Sequence, residues 1–586
     1  MGTLQEKGMW KMDLSIIVGG SAGQGMQSLS HAVVRAGAKA GFHVFATQDY
    51  MSRVRGGHNF SSIRFAENEL RTTNQDCHLI VALDKETVET HRINLHKDGL
   101  IICDPEDVKV DSEMMFFVPL KALAQKHAGN KIMSNTVALG AIWGLLGGEI
   151  EDINDLQEQT WERKGQEIID KNKSAALAGY TYAKENRPEN FKFKFKKANT
   201  KQKRLVIDGA TAMGMGAIAA GCRFVSAYPM TPSTSLTEYM ASHKSSCNII
   251  VEQVEDEIAA INMGIGAANA GARVLVPTSG GGFSLMVEGL GLAGISETPI
   301  VIVNMQRPGP ATGLPTRTEQ ADLLFVIYAH QGEFPRMVMA PHTHEEAFDT
   351  MVRAFNIADK MQTPVIILGD QFLADSLKTN PVFDFSKVEI DRGKLISKEG
   401  GDLLGTDYRR YKLNDDAISP RAVPGRSKAL VRVIGDEHDE EGNLIEDAKT
   451  RIAQHEKRLK KIEMLRNMGR KPIEYGPTDA PSVLVSWGSS YGAVKEAVDL
   501  LNKAGRPTKM AHFIDVYPLN HEHVINAVSK HKSRIAVESN ATSQFAKLIK
   551  SETGIGMTGF VLRYDGRPLT PEYIVSKIEE GGDLPW

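Results

Sequence analysis

The sequence predicts an α/β protein built from several open sheets whose strands are mostly parallel. Short apolar strands alternate with helical stretches along most of the chain, which is the pattern of a doubly wound sheet. Glycine-rich turns follow several of these strands, at the strand ends where open α/β sheets bind ligands. At 586 residues the chain is too long for a single hydrophobic core, and its length predicts roughly three or four domains.

The first strand, from Asp13 to Val18, runs directly into the glycine turn GGSAGQG, and a stretch with helical spacing follows it. Unpaired backbone N–H groups converge at such a turn, so the pattern predicts a phosphate-binding nest. The glycines expected to form it are Gly20, Gly23 and Gly25. An imperfect dinucleotide fingerprint, with Ser28 at its third glycine position and Asp49 as the ribose acid, leaves NAD as the alternative ligand.

A basic turn lies later in this first domain, which is predicted to span residues 1–190. Arg55 and His58 flank a pair of glycines, and their side chains are suited to an acidic substrate or to phosphate groups. A solvated basic turn without a ligand is the alternative. The lysine-rich segment 191–204 cannot bury a core and predicts a linker.

The second domain, predicted at 205–380, begins with a strand, a glycine-containing helix and a second strand that ends at Ala227. The sequence YPMTPST follows and places Tyr228, Pro229 and Thr231 at the carboxyl end of that strand. Its two prolines fix the backbone, so the Thr231 hydroxyl can point in a set direction. A rigid loop that binds nothing is the alternative.

Glu257 stands at the start of a helix-compatible run that is rich in alanine and glycine. Small residues on one helix face let another backbone or a flat ring approach closely. The nearby acidic residues Glu252, Glu255 and Asp256 favour the alternative, in which all four carboxylates lie on a solvated face.

Two further sequences follow strand ends in the same domain. Thr278, Ser279 and Gly280 open a flexible turn, and Arg317 lies in a proline-flanked loop. The planar guanidinium of an arginine can hold a carboxylate with two hydrogen bonds, while a structural salt bridge is the alternative role for Arg317.

The remainder of the chain divides into a charged connection at 381–478 and a third α/β domain at 479–586. Within the connection, a polar helix from Thr450 to Met468 is predicted to pack on a neighbour through a narrow apolar stripe. The residues of that stripe are Ile452, Leu459, Ile462 and Leu465.

Composition narrows the functional classes. A net charge of −3 and a sequence pI of about 6.6 do not predict a nucleic-acid partner. No signal-peptide pattern and no uninterrupted run of about 18 apolar residues is present, so we expect a cytoplasmic protein that does not bind membranes. The four cysteines are widely spaced, which predicts buried thiols and no metal site on this chain.

Four sequences, taken in order, carry a resemblance to a known family. They are YPMTPST, the Glu257 helix with Gly266 and Gly271 behind it, TSGGGFSLM, and GPATGLPTRTEQ. Together they resemble the α subunit of a 2-oxoacid:ferredoxin oxidoreductase fused behind that family's γ domain. The resemblance implies a Rossmann-like γ domain, a thiamine diphosphate pyrimidine-binding domain and a transketolase C-terminal-like domain. It also selects Glu257, rather than Glu255, as the carboxylate that meets N1′ of the aminopyrimidine.

The resemblance implies further site residues. Thr231 and Arg317 would hold the carboxylate of a 2-oxoacid, and Arg55 or His58 would bind a second carboxylate if the substrate has one. The γ domain would bind coenzyme A through its glycine turn. The residues expected to line the thiamine diphosphate site beside Glu257 are Tyr228, Pro229, Thr278, Ser279 and Gly280.

Two features that such an enzyme needs are missing from this sequence. The G-D-G sequence that holds the Mg²⁺ of thiamine diphosphate is not found, and the cysteines do not have the spacing of an iron–sulfur motif. The resemblance implies a partner β subunit that supplies the Mg²⁺ site and a 4Fe-4S cluster. An α2β2 assembly that passes electrons to ferredoxin is therefore expected.

The function predicted from the sequence is the interconversion of 2-oxoglutarate, coenzyme A and oxidised ferredoxin with succinyl-CoA, carbon dioxide and reduced ferredoxin. Pyruvate or a branched-chain 2-oxoacid is the alternative substrate. Three other interpretations remain: a non-oxidative thiamine diphosphate enzyme, an NAD-dependent dehydrogenase and a non-enzymatic assembly subunit.

Overall fold

The computed structural model describes residues 12–52, 57–109, 113–195 and 203–583. The chain forms two compact units, one comprising residues 1–207 with 376–382 and the other residues 208–375 with 383–586. No helix within the described ranges combines the length and the apolar character needed to cross a bilayer. The predicted division at 1–190, 205–380 and 479–586 stays a prediction.

The strands, in chain order, are β1 (Asp13–Ser21), β2 (His43–Asp49), β3 (His58–Ala66), β4 (Cys77–Ala82), β5 (Leu95–Cys103), β6 (Met115–Phe117), β7 (Arg204–Asp208), β8 (Phe224–Ala227), β9 (Ile250–Gln253), β10 (Val274–Thr278), β11 (Ile300–Gln306), β12 (Met337–Met339), β13 (Pro364–Asp370), β14 (Leu377–Pro381), β15 (Ile473–Tyr475), β16 (Ser482–Trp487), β17 (Thr508–Phe513), β18 (Asp515–Tyr517), β19 (Ser533–Glu538) and β20 (Gly559–Leu562).

The α-helices are α1 (Met26–Lys39), α2 (Lys85–His91), α3 (Leu120–Ala128), α4 (Ser134–Leu146), α5 (Ile150–Trp161), α6 (Gln166–Glu185), α7 (Gly209–Ala219), α8 (Thr234–Ser242), α9 (Glu257–Asn269), α10 (Gly280–Leu285), α11 (Val287–Ile295), α12 (Leu323–Tyr328), α13 (His344–Met361), α14 (Gln371–Asp375), α15 (Lys398–Asp402), α16 (Ala448–Met468), α17 (Tyr491–Lys503), α18 (His521–Val524), α19 (Gln544–Thr553) and α20 (Pro571–Glu579).

The first sheet belongs to the first unit and has the strand order β6-β5-β4-β1-β3-β2-β14-β7. The strands β1, β4, β5 and β6 pair in parallel, whereas β3 pairs antiparallel with both β1 and β2, and β14 pairs antiparallel with β2. This sheet is therefore mixed: it has the parallel pairing of a doubly wound sheet on one side and an antiparallel meander on the other.

The second sheet has the order β18-β12-β13-β11-β10-β8-β9 and is parallel from β12 to β9. Its central strand β11, with the sequence IVIVNMQ, is buried along its whole length, as expected where helices cover both faces of a parallel sheet. The edge strand β18 comes from far along the chain and pairs antiparallel with β12. The carboxyl ends of β8 to β13 therefore share one edge of this sheet.

The third sheet has the order β15-β17-β16-β19-β20 and is parallel except for the short edge strand β15. Helices α17 and α19 contribute Val494 and Phe545 to the apolar residues around it. The α/β class predicted from the alternating pattern is confirmed, with three sheets that contain many parallel pairs.

The charged connection is ordered by buried ion pairs. Helix α16 buries basic residues together with part of its predicted apolar stripe: Lys461 and Leu465 are fully buried, whereas Ile452 is 55% exposed. The carboxylate of Glu297 accepts hydrogen bonds from Lys457 at 2.5 Å and from Lys461 at 2.6 Å. The predicted apolar stripe is therefore wrong for Ile452, because a buried carboxylate more than 150 residues away lets the basic face turn inward.

Candidate active site

The site residues predicted in the second domain follow strands whose carboxyl ends share one edge of the second sheet. Strands β8, β9, β10 and β11 are parallel, so the segments that follow them leave the sheet on the same side. Those segments are YPMTPST, the Glu257 helix, the Thr278 turn and the loop from Arg307 to Asp322. The sequence-based grouping of these four segments at one sheet edge is therefore reproduced.

Glu257 is the first residue of helix α9, and Asp256 caps that helix by accepting a hydrogen bond from the backbone N–H of Ala259 at 2.8 Å. The Glu257 side chain is 3% exposed, whereas Glu255 is exposed. Its Oε1 atom is buried and has no hydrogen-bond partner among the described residues. A buried carboxylate oxygen of this kind is costly unless a ligand pairs with it.

The glycines in and after α9 lie in different surroundings. A Cβ at Gly264 would lie 2.9 Å from a methyl group of Val276, so Gly264 lets the helix pack closely on strand β10. A Cβ at Gly266 would have nothing within 4 Å, and Gly271 has a φ of 95° just after the helix end.

The Thr278 turn lies beside the Glu257 carboxylate. A Cβ at Gly282 would lie 2.2 Å from Thr278 Oγ1 and 2.6 Å from Glu257 Oε1, so only glycine fits there. Thr278 and Ser279 are fully buried, and Ser279 Oγ has no hydrogen-bond partner among the described residues. Glu257 and Ser279 thus both hold buried polar atoms without a partner in the described part of the chain.

The YPMTPST segment approaches the same turn. Tyr228 is 38% exposed, Pro229 is exposed and Thr231 is half-buried. Met230 accepts a contact from the Gly282 backbone N–H through its sulfur, at 3.2 Å. The segment therefore borders the Glu257 site and leaves Tyr228 and Pro229 accessible.

Arg307 is a site residue that the sequence reasoning missed. Its Nη1 donates a hydrogen bond to the Thr231 carbonyl at 2.6 Å, and burial lowers its pKa although the nearby Asp322 raises it. Arg307 directly follows strand β11, so a cation at the carboxyl end of a buried strand was the available signal.

Arg317 is 7% exposed and lies in the loop after β11. Its backbone N–H donates to the Leu314 carbonyl at 3.1 Å, and a Cβ at Gly566 would lie 3.1 Å from Arg317 Cβ. The aliphatic part of this arginine therefore packs against a turn that follows strand β20.

Two carboxyl groups stand beside these arginines. Burial raises the pKa of Asp322, although its Oδ2 accepts a hydrogen bond from Asn304 at 3.0 Å. Burial, together with the nearby Asp322 charge, raises the pKa of Glu319 to about 7. Asp322 also reaches the Thr278 turn, because a Cβ at Gly280 would lie 2.5 Å from its Oδ2.

In the first unit, the glycine turn is braced by side chains of its own domain. Gly20 lies in β1, Gly23 has a φ of 96° and Gly25 caps α1 with a φ of 75°. The Gln24 side chain accepts a hydrogen bond from the Ser21 N–H at 2.7 Å and donates to the Leu83 carbonyl at 3.2 Å. These contacts hold the turn open at Gly23, where a Cβ would meet nothing within 4 Å.

His58 is buried, with its Nε2 only 2.8 Å from His91 Nε2 and its ring stacked on Phe60. Burial lowers the pKa of His91 to about 4, and the adjacent His58 contributes to that lowering. His58 Nδ1 is buried without a hydrogen-bond partner among the described residues, so the pairing with His91 leaves that nitrogen for a ligand. Arg55, the other candidate for a second carboxylate, lies outside the described residues.

The described part of the chain contains no group of three or more His, Cys, Asp or Glu side chains placed to hold a metal ion. Cys77, Cys103 and Cys222 are buried and Cys247 is partly exposed. Burial raises the pKa of the first three thiols to about 12, so they are protonated at neutral pH.

Comparison with known proteins decides the family. Residues 215–457 match the family model "Pyruvate flavodoxin/ferredoxin oxidoreductase, thiamine diP-bdg", and residues 15–182 match "Pyruvate ferredoxin/flavodoxin oxidoreductase". A 2-oxoacid:ferredoxin oxidoreductase subunit alpha from Sulfolobus sp is 33% identical, over 97% of this chain and 98% of that protein. The chain belongs to the 2-oxoacid:ferredoxin oxidoreductases, as an alpha subunit.

Two other similar proteins extend this comparison. The 2-oxoglutarate oxidoreductase subunit KorA of Mycobacterium tuberculosis is 26% identical to this alpha subunit, over 96% of this chain and 88% of that one. A solved structure of 2-oxoglutarate:ferredoxin oxidoreductase from Magnetococcus marinus, with 2-oxoglutarate, coenzyme A and succinyl-CoA bound, superposes with a TM-score of 0.91. It is 30% identical, over 97% of this chain and all of that chain.

The alpha subunit's own residues fit the pyrimidine end of thiamine diphosphate. The buried Glu257 Oε1 has no hydrogen-bond partner in the part of the chain that the structure describes, and Gly280 to Gly282 leave no side chains in the turn beside it. A carboxylate at a helix start next to a side-chain-free turn can accept a hydrogen bond from a flat heterocycle that lies over the glycines.

Proposed function

We propose that this alpha subunit interconverts 2-oxoglutarate and succinyl-CoA with ferredoxin as the electron carrier. In the oxidative direction, 2-oxoglutarate loses its C1 carboxylate as carbon dioxide, and the remaining acyl group forms a thioester with coenzyme A. Two electrons pass to two ferredoxins and one proton is released. The reductive carboxylation uses the same components in reverse.

The observation that carries this proposal is the Glu257 carboxylate, buried at the start of α9 with one oxygen unpaired among the described residues. Thiamine diphosphate supplies the electron sink that lets a 2-oxoacid lose carbon dioxide. Glu257 would hold N1′ of its aminopyrimidine, and Thr278, Ser279 and Gly280 would line the same pocket. Tyr228 and Pro229 would border its open side, as their exposure allows.

The substrate carboxylate needs a cation beside this pocket. Arg307 and Arg317 both lie in the segment after β11, and Arg307 is hydrogen-bonded to the carbonyl of Thr231. We propose that Arg307 shares with Arg317 the role first assigned to Arg317 alone, while the Thr231 hydroxyl donates to the same carboxylate. Both guanidiniums would hold the C1 carboxylate until it leaves as carbon dioxide.

The second carboxylate distinguishes 2-oxoglutarate from pyruvate. Arg55 and His58 remain the proposed residues for it, and the glycine turn with Gly20, Gly23 and Gly25 remains the proposed contact for coenzyme A. The names of the KorA subunit and of the Magnetococcus marinus enzyme both include 2-oxoglutarate, which supports it as the substrate.

A partner chain completes the enzyme in this proposal. The relatives are named as alpha subunits, which supports at least one further subunit. In this proposal that subunit is a β subunit with the Mg²⁺ site and a 4Fe-4S cluster. We propose an α2β2 heterotetramer that delivers electrons to ferredoxin in the cytoplasm.

The test is anaerobic reduction of a low-potential dye by the complex of this chain with its co-purified partner. Reduction that needs coenzyme A and proceeds faster with 2-oxoglutarate than with pyruvate is expected. Equal or faster reduction with pyruvate would contradict the assignment of 2-oxoglutarate as the preferred substrate. No reduction with any 2-oxoacid, by a complex shown to hold thiamine diphosphate and an iron–sulfur cluster, would contradict the proposal.

A further inference from the structure

The loop that carries Arg317 is fixed by hydrogen bonds to other elements of the fold. Residues 316–324, here called the arginine strap, lead from Thr316 into the first turn of α12 and contain no strand. A segment without regular secondary structure cannot fix its own conformation through backbone ladders, so its hydrogen bonds must end on other elements. Five of them join the strap to the segment 538–544, which runs from the end of β19 to the start of α19.

Gln320 is the first tie. It is 1% exposed, and its backbone N–H donates to the Ser539 carbonyl at 2.7 Å. Its side-chain Oε1 accepts from the Ser539 N–H at 3.1 Å, and its Nε2 donates to the Trp487 carbonyl at 2.9 Å. Its own carbonyl accepts from Asn540 Nδ2 at 3.0 Å. Every polar group of Gln320 therefore bonds to the third sheet or to the segment after it.

Gln544 is the second tie. Its Nε2 donates to the Ala321 carbonyl at 2.7 Å, and its Oε1 accepts from the Leu324 N–H at 2.9 Å. The side-chain amide of Gln544 thus bonds to the first and to the last of the four consecutive strap residues 321–324. Gln544 is the first residue of α19 and is half-buried.

The segment that provides these ties is itself fixed. Glu538 is 1% exposed, and its Oε2 accepts from Trp487 Nε1 at 3.2 Å and from Asn540 Nδ2 at 2.9 Å. Two backbone N–H groups, of Phe545 and Ala546, complete its partners at 3.0 Å each. A saturated buried carboxylate holds the segment rigid, so the strap is held against a fixed base.

The opposite side of the strap reaches the carboxyl ends of the second sheet. The Asp322 N–H donates to Gln306 Oε1 at 3.0 Å, and Asn304 donates to the Asp322 carboxylate. Thr318 Oγ1 accepts from the Phe372 N–H at 3.4 Å, just after strand β13. The strap thus lies between the sheet that carries the site and the segment 538–544.

We infer that Gln320 and Gln544 are positioning residues, through which the third sheet sets the affinity of the enzyme for its 2-oxoacid. The inference rests on the proposed function, in which Arg317 holds the substrate carboxylate. Gln320 and Gln544 act through the backbone of the strap: they fix the segment that follows Arg317 and the residues on both sides of Asp322. Loss of either amide leaves Arg317 present but free to move, and catalytic geometry is sensitive to shifts of about 1 Å.

The test compares Gln544→Met with a matched control in the complex co-purified with its partner subunit. Methionine keeps the length of the side chain and removes both amide bonds. Asn502 makes a similar pair of side-chain hydrogen bonds to a residue outside the strap. Its amide donates to the Thr508 carbonyl at 3.0 Å and accepts from the Thr508 N–H at 2.9 Å. Asn502→Leu therefore removes an equivalent pair of bonds from the same part of the chain. Gln320→Met provides a second, independent variant.

Two readouts decide the outcome. Gln544→Met is expected to raise the KM for the 2-oxoacid by about tenfold, with the KM for coenzyme A unchanged, while Asn502→Leu changes neither. Hydrogen exchange of the strap amides should also speed up in Gln544→Met and not in Asn502→Leu. Unchanged exchange, or equal KM changes in the two variants, would overturn the inference. If the unaltered complex turns over no 2-oxoacid, the proposed function fails, and the exchange result alone decides whether Gln544 holds the strap.

Discussion

The carboxylate of Glu257 and the backbone of Gly282 lie so close that a Cβ on residue 282 would stand 2.6 Å from Glu257 Oε1. The same Cβ would stand 2.2 Å from Thr278 Oγ1. The absence of a side chain at residue 282, on the neighbouring helix α10, thus leaves the space that the Glu257 carboxylate occupies.

Gly282→Ala is expected to displace Glu257 and to lower kcat by at least about tenfold, because the new Cβ would lie 2.2 Å from Oγ1 of the short Thr278 side chain and 2.7 Å from Glu257 Cγ. Gly281→Ala is the matched control, since a Cβ there would be 3.7 Å from its nearest neighbour, Met230. Dye-reduction assays on both complexes check this. Equal activities in the two variants would show that the contact does not position Glu257.

Glu257→Gln is expected to lower kcat by at least about 100-fold without unfolding the chain, because an amide cannot replace the carboxylate at N1′. Glu255→Gln tests whether Glu257, and not Glu255, is the carboxylate that meets N1′. Glu255 lies two residues earlier and is exposed. Activity is measured with saturating thiamine diphosphate and 2-oxoacid. A larger loss in Glu255→Gln than in Glu257→Gln would move the catalytic role to the other carboxylate.

Arg307→Lys and Arg317→Lys are each expected to raise the KM for the 2-oxoacid by about tenfold or more, since lysine cannot form the bidentate pair. The KM for coenzyme A should not change. Arg353→Lys is a control, because Arg353 is paired with Asp515 away from the loop after β11. If only one of the two variants alters KM, that arginine alone holds the substrate carboxylate.

Glu319 predicts a pH dependence of stability. Burial raises its pKa from 4.5 to about 7, so the folded chain binds this proton more tightly than the unfolded chain does. Its contribution to stability is therefore full below about pH 4.5 and is lost as the pH rises through about 7. Glu319→Gln should flatten the fall in Tm between about pH 5 and about pH 8.

Thermal unfolding of the complex across that pH range checks this prediction. Glu288→Gln, on the exposed side of α11, is the control and should leave the pH profile of the unaltered protein in place. Parallel profiles for Glu319→Gln and the unaltered protein would contradict the assignment to Glu319.

Glu297→Gln is expected to destabilise the second unit by about 3–5 kcal/mol, because it leaves the buried Lys457 and Lys461 without their counter-ion. Burial alone would raise the pKa of Glu297, but Lys461, Lys457 and Arg410 hold it well below its usual range. Urea unfolding measures the effect.

The double variant Glu297→Gln with Lys461→Met tests the cause of that loss. Removing one unpaired lysine should restore part of the stability, since a buried charge without a partner is the costly element. A double variant that is less stable than Glu297→Gln would attribute the loss to packing instead.

Local signals predicted the helix that begins at Glu257, whereas the choice of Glu257 over its acidic neighbours came from the resemblance to the family. An aspartate cap, a small-residue helix and a following buried strand are consecutive in the sequence, and the structure reproduces that order as Asp256, α9 and β10. The grouping of the Thr231, Glu257 and Thr278 segments also followed from the geometry of parallel strands, because their carboxyl ends share an edge.

Contacts between distant residues were not predictable in this way. Gln544 binds Ala321 across 223 positions, and no local pattern marks either residue as a partner of the other. The inward face of α16 was missed for the same reason, since Lys461 is buried only because Glu297 meets it. The antiparallel half of the first sheet was missed because alternating apolar residues do not reveal strand direction.

Strand β14 belongs to the first sheet although it lies far from the other strands of that sheet in the sequence. In the first sheet it lies between β2 and β7, yet residues 377–381 come after β13 of the second sheet, and β7 itself follows the linker. A chain divided within residues 191–203 would yield an amino-terminal fragment whose sheet ends at β2, with an unpaired edge. Strands β14 and β7, which complete the first sheet beyond β2, would remain on the other fragment. Such halves could regain the native sheet only by strand complementation, so separating the domains in two genes would create an obligate pair.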